Sequence, residues 1–395
     1  MTAPASRPSS IYLVAGEESG YALGGALIRA LRQRSTGELD LAGVGGHAMA
    51  AAGVTSPFTI EELSIVGVSA IPRRLPAILR KIRQTADAIV AKNPGALVII
   101  DSPDFTHRVA RRVRQHRPSI PIIDYVSPSV WAWRSGRART MRAYVDHVLA
   151  ILPFEPAAHE RLGGPPCTYV GHPLIERLGD LRPNPDEALR RRNDPPLVLV
   201  LPGSRTTEIR RLSAMFGAAL ARVADRIGPI ELVLPTLPHL SEVLQTVSST
   251  WAVKPRIVTT PADKWAAFRS ARAALAASGT VTLELALAGV PTVAAYRLST
   301  FEEIIARLIR LNAHLTSIIL ANLVLGANVV PEFVQHQCTP NRLAEALEPL
   351  LSDTPQRRSQ VEAFARLDGI MGVGGEAPSA KAADIVLDFA RRGRR

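Results

Sequence analysis

One segment near the middle of the chain has the residue types of an anion-binding turn. The apolar run 197–201 predicts a buried parallel strand, which Pro202 and Gly203 end. Ser204 is expected to cap the helix that follows. Backbone N–H groups at a helix start bind anions, and the guanidinium of Arg205 adds a fork of donors. The segment predicts either a phosphate or diphosphate site or an ordinary strand–helix turn with a surface arginine.

A second turn of small residues repeats this pattern further along the chain. A predicted strand ends at Ala276, and Ser278, Gly279 and Thr280 follow it. Small residues let the backbone approach a diphosphate closely, and the carboxylate of Glu284, one turn into the next helix, can accept two ribose hydroxyls. The alternative is a capped helix with an acidic first turn.

Asp101 stands at the carboxyl end of another predicted strand, 97–101. This is where a general base would be placed, whereas Asp104 is better placed to cap the helix near Phe105. The sequence leaves open whether Asp101 is catalytic or structural.

A glycine-rich turn follows the first predicted strand, where doubly wound folds bind ligands. It contains Glu17, Glu18, Ser19 and Gly20, and its glycine spacing is not that of a dinucleotide fingerprint. Carboxylates at a helix start would repel a phosphate, so a hydroxyl-bearing sugar is the expected guest. The alternative is a tight turn in which a glutamate complements the helix dipole.

Three further segments leave two interpretations open. Trp131 and Trp133 predict a substrate-shaping loop or a satellite hydrophobic cluster. His172, in its Gly-His-Pro turn, is predicted either to act in acid–base chemistry or, as is commoner, to hold a loop by hydrogen bonds. The segment 63–83 mixes apolar and basic residues, which predicts either an interfacial membrane segment or an ordinary amphipathic helix. Its key residues are Val66, Val68, Ile71, Arg73, Arg74 and Leu75.

The composition limits the classes of partner. The net charge of +12 fits anionic lipid headgroups, phosphorylated substrates or simply solvated arginine faces, and the 5% of aromatic residues with no stacking motif disfavours nucleic acid. Two cysteines favour a reducing compartment. No secretory signal or spanning helix is predicted. No ligand spacing fits a metal, so chemistry without metal or cofactor is expected.

Strand-like runs alternate with helical segments, which predicts an α/β fold of two tandem doubly wound domains that face each other across a cleft. We expect an N-terminal domain over 1–178 and a C-terminal one over 179–379; whether a last helix over 380–392 packs back on the first domain stays open. The predicted strands are 11–15, 39–44, 97–101, 120–126, 147–152, 197–201, 231–235, 256–258, 273–276 and 292–296.

Together these motifs resemble the lipid-A-disaccharide synthase family of glycosyltransferases, whose architecture is GT-B. The resemblance runs from about residue 11 to about residue 350, and the run Ser-Pro-Ser-Val-Trp-Ala-Trp is its most specific part. The matching segments are 13–20, 43–46, 101–105, 125–133, 152–155, 170–173, 201–205, 277–280 and 328–332.

The resemblance implies a reaction without metal or cofactor. UDP-2,3-diacylglucosamine would donate its sugar to the 6-hydroxyl of 2,3-diacylglucosamine 1-phosphate, which gives a β(1→6) disaccharide 1-phosphate and UDP with inversion. Asp101 would be the base and Arg205 would hold the leaving diphosphate. The implied nucleotide site comprises Gly203, Ser204, Arg205, Ser278, Gly279, Thr280, Glu284 and Asn322. The implied acceptor site comprises Glu17, Ser19, Gly20 and Trp133.

The resemblance also implies a location in the cell, and two residues of this chain depart from the family pattern. The enzyme would lie in the cytoplasm, bound to the anionic inner face of the inner membrane of a Gram-negative cell through 66–83; a homo-oligomer stays open. Tyr21 stands where the family has Asp, and Ala321 stands where Pro is expected. Two alternatives to this function stay open: a UDP-N-acetylglucosamine 2-epimerase-like enzyme, or a non-catalytic relative that binds a nucleotide or a lipid.

Overall fold

Two parallel sheets organise the chain. The computed structural model describes residues 9–58, 71–298 and 317–394. One unit, unit 1, comprises Met1–Ile175 with Gly374–Arg395, and the other, unit 2, comprises Glu176–Val373. Each unit contains one sheet of six parallel strands. The predicted α/β class with two doubly wound sheets is confirmed.

Twelve strands are present in the part of the chain that the structure describes. In chain order they are β1 (Ser9–Ala15), β2 (Leu39–Val44), β3 (Ala96–Ile100), β4 (Ile122–Tyr125), β5 (His147–Ala150), β6 (Cys167–Tyr169), β7 (Leu197–Leu201), β8 (Glu231–Pro235), β9 (Arg256–Val258), β10 (Ala273–Ala277), β11 (Thr292–Tyr296) and β12 (Glu332–Val334).

The described α-helices lie mostly between these strands. They are α1 (Glu18–Arg34), α2 (His47–Ala51), α3 (Ile71–Lys92), α4 (Pro103–His116), α5 (Gly136–Met141), α6 (Glu155–Arg161), α7 (Leu178–Leu181), α8 (Pro185–Arg190), α9 (Thr206–Ile227), α10 (Ser241–Ser248), α11 (Pro261–Ser270), α12 (Val281–Leu287), α13 (Leu320–Leu325), α14 (Pro340–Leu347), α15 (Pro355–Ala365), α16 (Leu367–Met371) and α17 (Pro378–Arg392).

The sheet of unit 1 has the order β2-β1-β3-β4-β5-β6. Every residue of β3 is buried, as expected for a parallel strand covered on both faces. Helices α1 and α17 pack against each other, and α17 also contacts β1 and β3. On the other face α3 packs against α4. Helix α17, at the end of the chain, therefore completes the unit formed by the first part of the chain.

The sheet of unit 2 has the order β12-β11-β10-β7-β8-β9. Strands β7 and β10 are central and wholly buried. The long helix α9 packs with α10 and α14 over one face, where Phe216 and Leu220 lie in the core. In both units the strand order reverses beside the first strand, and ligands of such sheets bind at the carboxyl ends of the strands at that point.

All ten predicted strands agree with the structure within two residues at each end, and two strands of the structure were not predicted. The missed strands are β6 and β12, which have three residues each and lie at sheet edges. All residues of these two strands are half-buried or exposed, so neither strand needs the continuous apolar run that a buried strand requires.

Candidate active site

The carboxyl ends of β1 and β3 bring two sequence motifs together in unit 1. The two strands are neighbours, with Ala15 in register with Ile100. The glycine-rich turn that starts at Gly16 and the segment that starts at Asp101 therefore leave the sheet side by side. This pair of turns lies at the point of the sheet where the strand order reverses.

Asp101 has a backbone conformation that few non-glycine residues adopt. Its φ is +53°, and the φ of Ser102, the next residue, is +45°. Such conformations cost about 1–3 kcal/mol each and persist where the surroundings hold them. Here the hydroxyl of Thr106 donates to the carbonyl oxygen of Asp101 (2.6 Å), and the Asp101 N–H donates to the carbonyl oxygen of Tyr125 (3.1 Å). The strained turn is thus fixed by hydrogen bonds directly after β3.

Both carboxylate oxygens of Asp101 accept a hydrogen bond. Oδ2 accepts from the hydroxyl of Ser19 at 2.6 Å, and Oδ1 accepts from the N–H of Ser102 at 2.8 Å. Ser19 lies in the first turn of α1, where the helix dipole favours a negative charge. Each oxygen keeps a lone pair, so the group is oriented and still able to accept a proton.

Two glycines permit this close approach. A Cβ at Gly16 would lie 2.8 Å from Cβ of Ser102, and one at Gly20 would lie 3.2 Å from the carbonyl oxygen of Ile100. Larger residues would therefore push α1 away from β3. The predicted acceptor residues Ser19 and Gly20 are thus brought to Asp101, whereas the neighbouring Glu17 is exposed and precedes the helix as its N-cap residue.

Tyr21, in the first turn of α1, is a core residue. It is buried, and its ring occupies the space beside Gly46, where a Cβ would clash with it. Its hydroxyl has no hydrogen-bond partner within the described ranges. Burial raises the pKa of Tyr21 to about 12, with Glu18 and Glu17 adding to the shift. With this raised pKa the Tyr21 phenol is uncharged at neutral pH and cannot act as the carboxylate of an aspartate would.

The two tryptophans of the loop after β4 point to different environments. The Nε1–H of Trp131 donates to Glu155, and its ring meets Phe154 edge-on at 5.1 Å. Trp133 is 37% exposed, with the guanidinium of Arg134 at 4.3 Å from its ring centroid. Trp131 thus belongs to a half-buried aromatic cluster beside the buried Glu155, and Trp133 is the more exposed of the two rings.

Trp133 is linked to the start of α4 by an arginine. Arg137 lies 6.0 Å from the ring centroid of Trp133 and 3.7 Å from Oδ1 of Asp104. Asp104 lies in the first turn of α4, close to Asp101 in the chain. It is exposed, and the helix begins at Pro103 without a side-chain cap, so the expectation that Asp104 caps it is wrong.

The buried carboxyl of Glu155 gives a testable pH effect. Burial raises its pKa to about 7, although the Trp131 side chain and the N–H groups of Leu152 and Ile151 hydrogen-bond to it. The raised pKa means that its contribution to stability is complete below pH 4.5 and is lost as the pH rises through about 7. We expect a Trp131 fluorescence titration with a midpoint near pH 7 that Glu155→Gln abolishes. A midpoint that persists in this variant would assign the signal to another group.

In unit 2 the ends of β7 and β10 form the edge of a cavity of about 460 Å³. The cavity lies at the carboxyl ends of these strands, at the reversal of the strand order. It brings together six of the predicted nucleotide residues, which are Gly203, Ser204, Arg205, Ser278, Gly279 and Thr280, with Glu284 as a seventh.

The turn after β7 binds the side-chain carboxylate of Glu208. Gly203 has a φ of +129°, and a Cβ there would lie 2.5 Å from Cβ of Glu208. The Glu208 carboxylate accepts from the N–H of Ser204 (3.1 Å) and from Nη1 of Arg205 (3.0 Å). Arg205 is the N-cap of α9 and no side chain caps it, so the predicted cap by Ser204 is wrong. The donors at this turn already bind one carboxylate and are suited to phosphate oxygens.

The turn after β10 places a carboxylate in the same cavity. Thr280 is the N-cap of α12, and Glu284 lies in the first turn of that helix. Glu284 Oε2 accepts from Nζ of Lys264 at 2.8 Å. The ammonium of Lys264 also lies 4.1 Å from the ring centroid of Trp265. This pairing fixes the position of Glu284 and leaves its second oxygen for a ligand hydroxyl.

Sequence reasoning missed two members of this cavity, Lys264 and Glu208. Lys264 lies inside α11 in a segment without a recognisable motif, so only the fold brings it to Glu284. Glu208 is part of the motif after β7, and its position three residues after Arg205 was the available signal.

Asn322 does not line the cavity, and the structure gives its amide another role. Asn322 is buried. Its Oδ1 accepts from the N–H groups of Val329 and Val330, and its Nδ2 donates to Ser317 Oγ and to the carbonyl oxygen of Val330. Because both ends of the amide are bound within the protein, Asn322 holds the chain between α13 and β12. We therefore leave Asn322 out of the nucleotide site.

Removal of this amide is expected to affect stability and not ligand binding. Asn322→Ala leaves the N–H groups of Val329 and Val330 without their acceptor, at a cost of about 1–3 kcal/mol for a buried group. We expect a fall of about 3 kcal/mol in the free energy of unfolding, measured with urea, and a UDP affinity within about twofold of the unchanged protein. A large loss of UDP affinity with unchanged stability would instead assign Asn322 to the site.

The membrane-contact prediction falls largely outside the described residues. Val66 and Val68 lie in 59–70, and only the backbone is described for 71–75, which includes Ile71, Arg73, Arg74 and Leu75. The next turn of α3 has Leu79 at 38% exposure beside exposed Arg80 and Arg83. No described helix is both long and apolar enough to cross a bilayer. Within the described ranges, no three His, Cys, Asp or Glu side chains are grouped for a metal ion.

Solved structures agree with the fold class. The MnaA–UDP complex of S. aureus matches with a TM-score of 0.63 at 14% identity, over 95% of this chain and 94% of that chain. MurG of Acinetobacter baumannii matches with a TM-score of 0.61 at 15% identity, over 96% of this chain and 100% of that chain. The chain therefore has the GT-B fold, as predicted.

Sequence comparison identifies the family. The profile of the family described as lipid-A-disaccharide synthetase matches residues 11–371. The lipid-A-disaccharide synthase of Bradyrhizobium diazoefficiens is 59% identical over 385 residues, which are 98% of this chain and 97% of that protein. This chain belongs to the lipid-A-disaccharide synthase family, which confirms the resemblance found in the sequence.

Proposed function

We propose that this protein is a lipid-A-disaccharide synthase that transfers 2,3-diacylglucosamine from UDP-2,3-diacylglucosamine to the 6-hydroxyl of 2,3-diacylglucosamine 1-phosphate. The products are the β(1→6) disaccharide 1-phosphate and UDP. Membership of the family over residues 11–371 is the observation that carries this proposal. The arrangement of charged and hydrogen-bonding groups in the two units supports it in detail.

Unit 2 would bind the donor. Its cavity offers Arg205, the N–H of Ser204 and the start of α9 to the diphosphate, and Glu284 to the ribose hydroxyls. The turn of Ser278, Gly279 and Thr280 would cover the phosphates. When UDP binds, its diphosphate takes the place of the Glu208 carboxylate on Arg205. The guanidinium then stabilises the charge that develops on the leaving group.

Unit 1 would bind the acceptor and supply the base. Asp101 takes the proton from the 6-hydroxyl, whose oxygen attacks C1 of the donor sugar while the bond from C1 to the UDP oxygen breaks. The electron pair of that bond leaves with the diphosphate. One displacement inverts the anomeric centre. Ser19 orients the base, and Gly20, Glu17 and Trp133 contribute the sugar-facing surface.

Charge neutralisation by Arg205 and α9 makes a metal ion unnecessary in this proposal. Turnover is therefore expected to be insensitive to EDTA.

The proposed enzyme acts at the cytoplasmic surface of the inner membrane, because donor and acceptor are both acylated. The segment 66–83 would contact the bilayer, and the exposed Leu79, Arg80 and Arg83 support this orientation of α3. Apolar side chains beside arginines suit an interface with anionic headgroups.

The triple substitution Val66→Ser, Val68→Ser and Ile71→Ser is expected to remove most of the binding to phosphatidylglycerol vesicles, since each buried methylene contributes about 0.8 kcal/mol. Co-sedimentation measures the bound fraction. Leu189→Ser removes an apolar side chain that is 59% exposed in unit 2 and is the matched control. Equal losses in both proteins would show that residues 66–71 have no special contact with the bilayer.

The decisive assay uses the purified full-length chain with both lipid substrates and mass detection. We expect a disaccharide 1-phosphate and one UDP for each disaccharide, in EDTA, and no product without acceptor. Epimerisation of soluble UDP-N-acetylglucosamine without disaccharide formation would replace the proposal with the epimerase alternative. UDP binding without any turnover would favour a non-catalytic relative.

A further inference from the structure

A second cavity, of about 600 Å³, lies in unit 2 among arginine side chains. Arg191 and Arg192 precede β7, and Arg272 immediately precedes β10. The cavity therefore lies at the amino ends of these strands, whereas the nucleotide cavity lies at their carboxyl ends. Two more arginines, Arg357 and Arg358, lie in the first turn of α15, so five arginines line the cavity. Its lining contains only two acidic residues, Asp353 and Glu362.

Two of these arginines, Arg191 and Arg357, are held by hydrogen bonds to backbone carbonyl oxygens. Arg357 Nη1 donates to the carbonyl oxygens of Arg272 and Leu350, both at 2.6 Å. Arg191 donates to four carbonyl oxygens, those of Phe268, Arg269, Ala288 and Gly289. Hydrogen bonds to carbonyls fix a guanidinium without neutralising it. Arg272 is paired with Asp194 and Arg358 with Asp353, but the five arginines of the wall still outnumber the acidic groups around them.

Arg272 has a buried donor that no described residue satisfies. Its Nε donates to the carbonyl oxygen of Arg191 (2.8 Å), and its Nη1 donates to Asp194 (3.0 Å) and to the carbonyl oxygen of Leu351 (3.1 Å). Its Nη2 is buried and has no hydrogen-bond partner within the described ranges. A buried charged donor without a partner is costly, which points to an acceptor that the protein does not itself supply.

The arginines also repel one another. Burial lowers the pKa of Arg191 to about 10, and the charge of Arg357 adds to this effect. Burial lowers the pKa of Arg357 as well, with Arg272 and Arg192 as further causes. An anion bound among these side chains would relieve the repulsion. The volume of about 600 Å³ lies within the range of small-molecule sites.

We propose that this cavity is a second anion-binding site, which takes a phosphate group of a soluble phosphate ester or of a phospholipid headgroup. The Arg272 guanidinium donates to one phosphate oxygen, and the exposed Arg192 and Arg358 close over the others, with the phosphate replacing Asp353 on Arg358. Fixed guanidinium forks suit phosphate oxygens. The site is separate from the nucleotide cavity and does not depend on the transferase proposal.

The test measures binding of inorganic phosphate by calorimetry to the full-length protein at constant ionic strength, with saturating UDP to occupy the nucleotide cavity. Arg272→Gln removes the buried donor. Because this side chain also supports the backbone, the exposed pair Arg192→Gln and Arg358→Gln provides a second variant. The matched control is Arg222→Gln with Arg226→Gln, two exposed arginines of α9 that do not line the cavity.

We expect both cavity variants to lose phosphate affinity at least tenfold and the control to stay within twofold. Failure of the unchanged protein to bind phosphate, or an equal loss in the control, would overturn the proposal. Phosphatidylglycerol vesicles distinguish the two sources. A parallel loss of vesicle binding in the cavity variants supports a phospholipid headgroup, and unchanged vesicle binding together with lost phosphate affinity supports a soluble phosphate ester.

Discussion

Asp101→Asn is expected to lower kcat by about 10³-fold while the affinity for UDP stays within about twofold. General bases contribute roughly 10²–10⁴-fold to a rate, and an amide cannot accept the proton of the acceptor hydroxyl. Asn nevertheless keeps the size of the side chain and an oxygen for the N–H of Ser102. UDP would bind in unit 2, so its affinity should not depend on this substitution. Single-turnover rates and UDP calorimetry measure the two effects.

Substitutions of two nearby residues test whether the effect is specific to the Asp101 carboxylate. Asp104→Asn removes a carboxylate that is exposed in the first turn of the same helix, and we expect kcat to change less than twofold. Ser19→Ala removes one of the two hydrogen bonds that orient Asp101, so a loss of about tenfold is expected. If Asp101→Asn retained more than a tenth of the activity, or if Asp104→Asn matched it, Asp101 would not be the base.

Arg205→Ala is expected to weaken UDP binding by about 10²-fold, since hydrogen bonds to charged groups contribute about 1.5–3 kcal/mol and each 1.4 kcal/mol is tenfold in affinity. The Arg205 side chain is 77% exposed and forms an ion pair with Glu208, so its loss should disturb the fold little. Arg205→Lys should restore part of the affinity, because an ammonium keeps the charge and loses the planar fork. Calorimetry with UDP measures these differences.

Glu208 offers an opposite and independent test of the same site. Its carboxylate holds Arg205 and the N–H of Ser204, the two donors that the diphosphate would use. Glu208→Gln removes this internal competitor and is expected to tighten UDP binding about threefold or more. Unchanged UDP affinity in Arg205→Ala would remove Arg205 from the diphosphate site, whatever the effect at Glu208.

The central strands could be predicted because burial on both faces requires a continuous apolar run. The run 197–201 has such a pattern, and β7 occupies those residues. The edge strands β6 and β12 could not be predicted in this way, because they are short and only partly covered. Their positions depend on pairing with β5 and β11, which is a tertiary contact.

The turns of the candidate site were predictable, and several of their contacts were not. Turns that follow buried parallel strands meet at one edge of a sheet, so Asp101 and the turn of Ser19 are brought together by local patterns and strand order. The amide contacts of Asn322 depend on Val329 and Val330 in a specific loop shape, and a motif alone does not reveal them. The same holds for the approach of Lys264 to its carboxylate partner.

A crystal structure with UDP and the 1-phosphorylated acceptor bound tests the central claim most directly. We predict diphosphate oxygens within about 3 Å of the Arg205 guanidinium and the acceptor 6-hydroxyl within about 3 Å of a carboxylate oxygen of Asp101. A diphosphate bound away from the Gly203–Arg205 turn, or a 6-hydroxyl that lies against another group, would contradict the account.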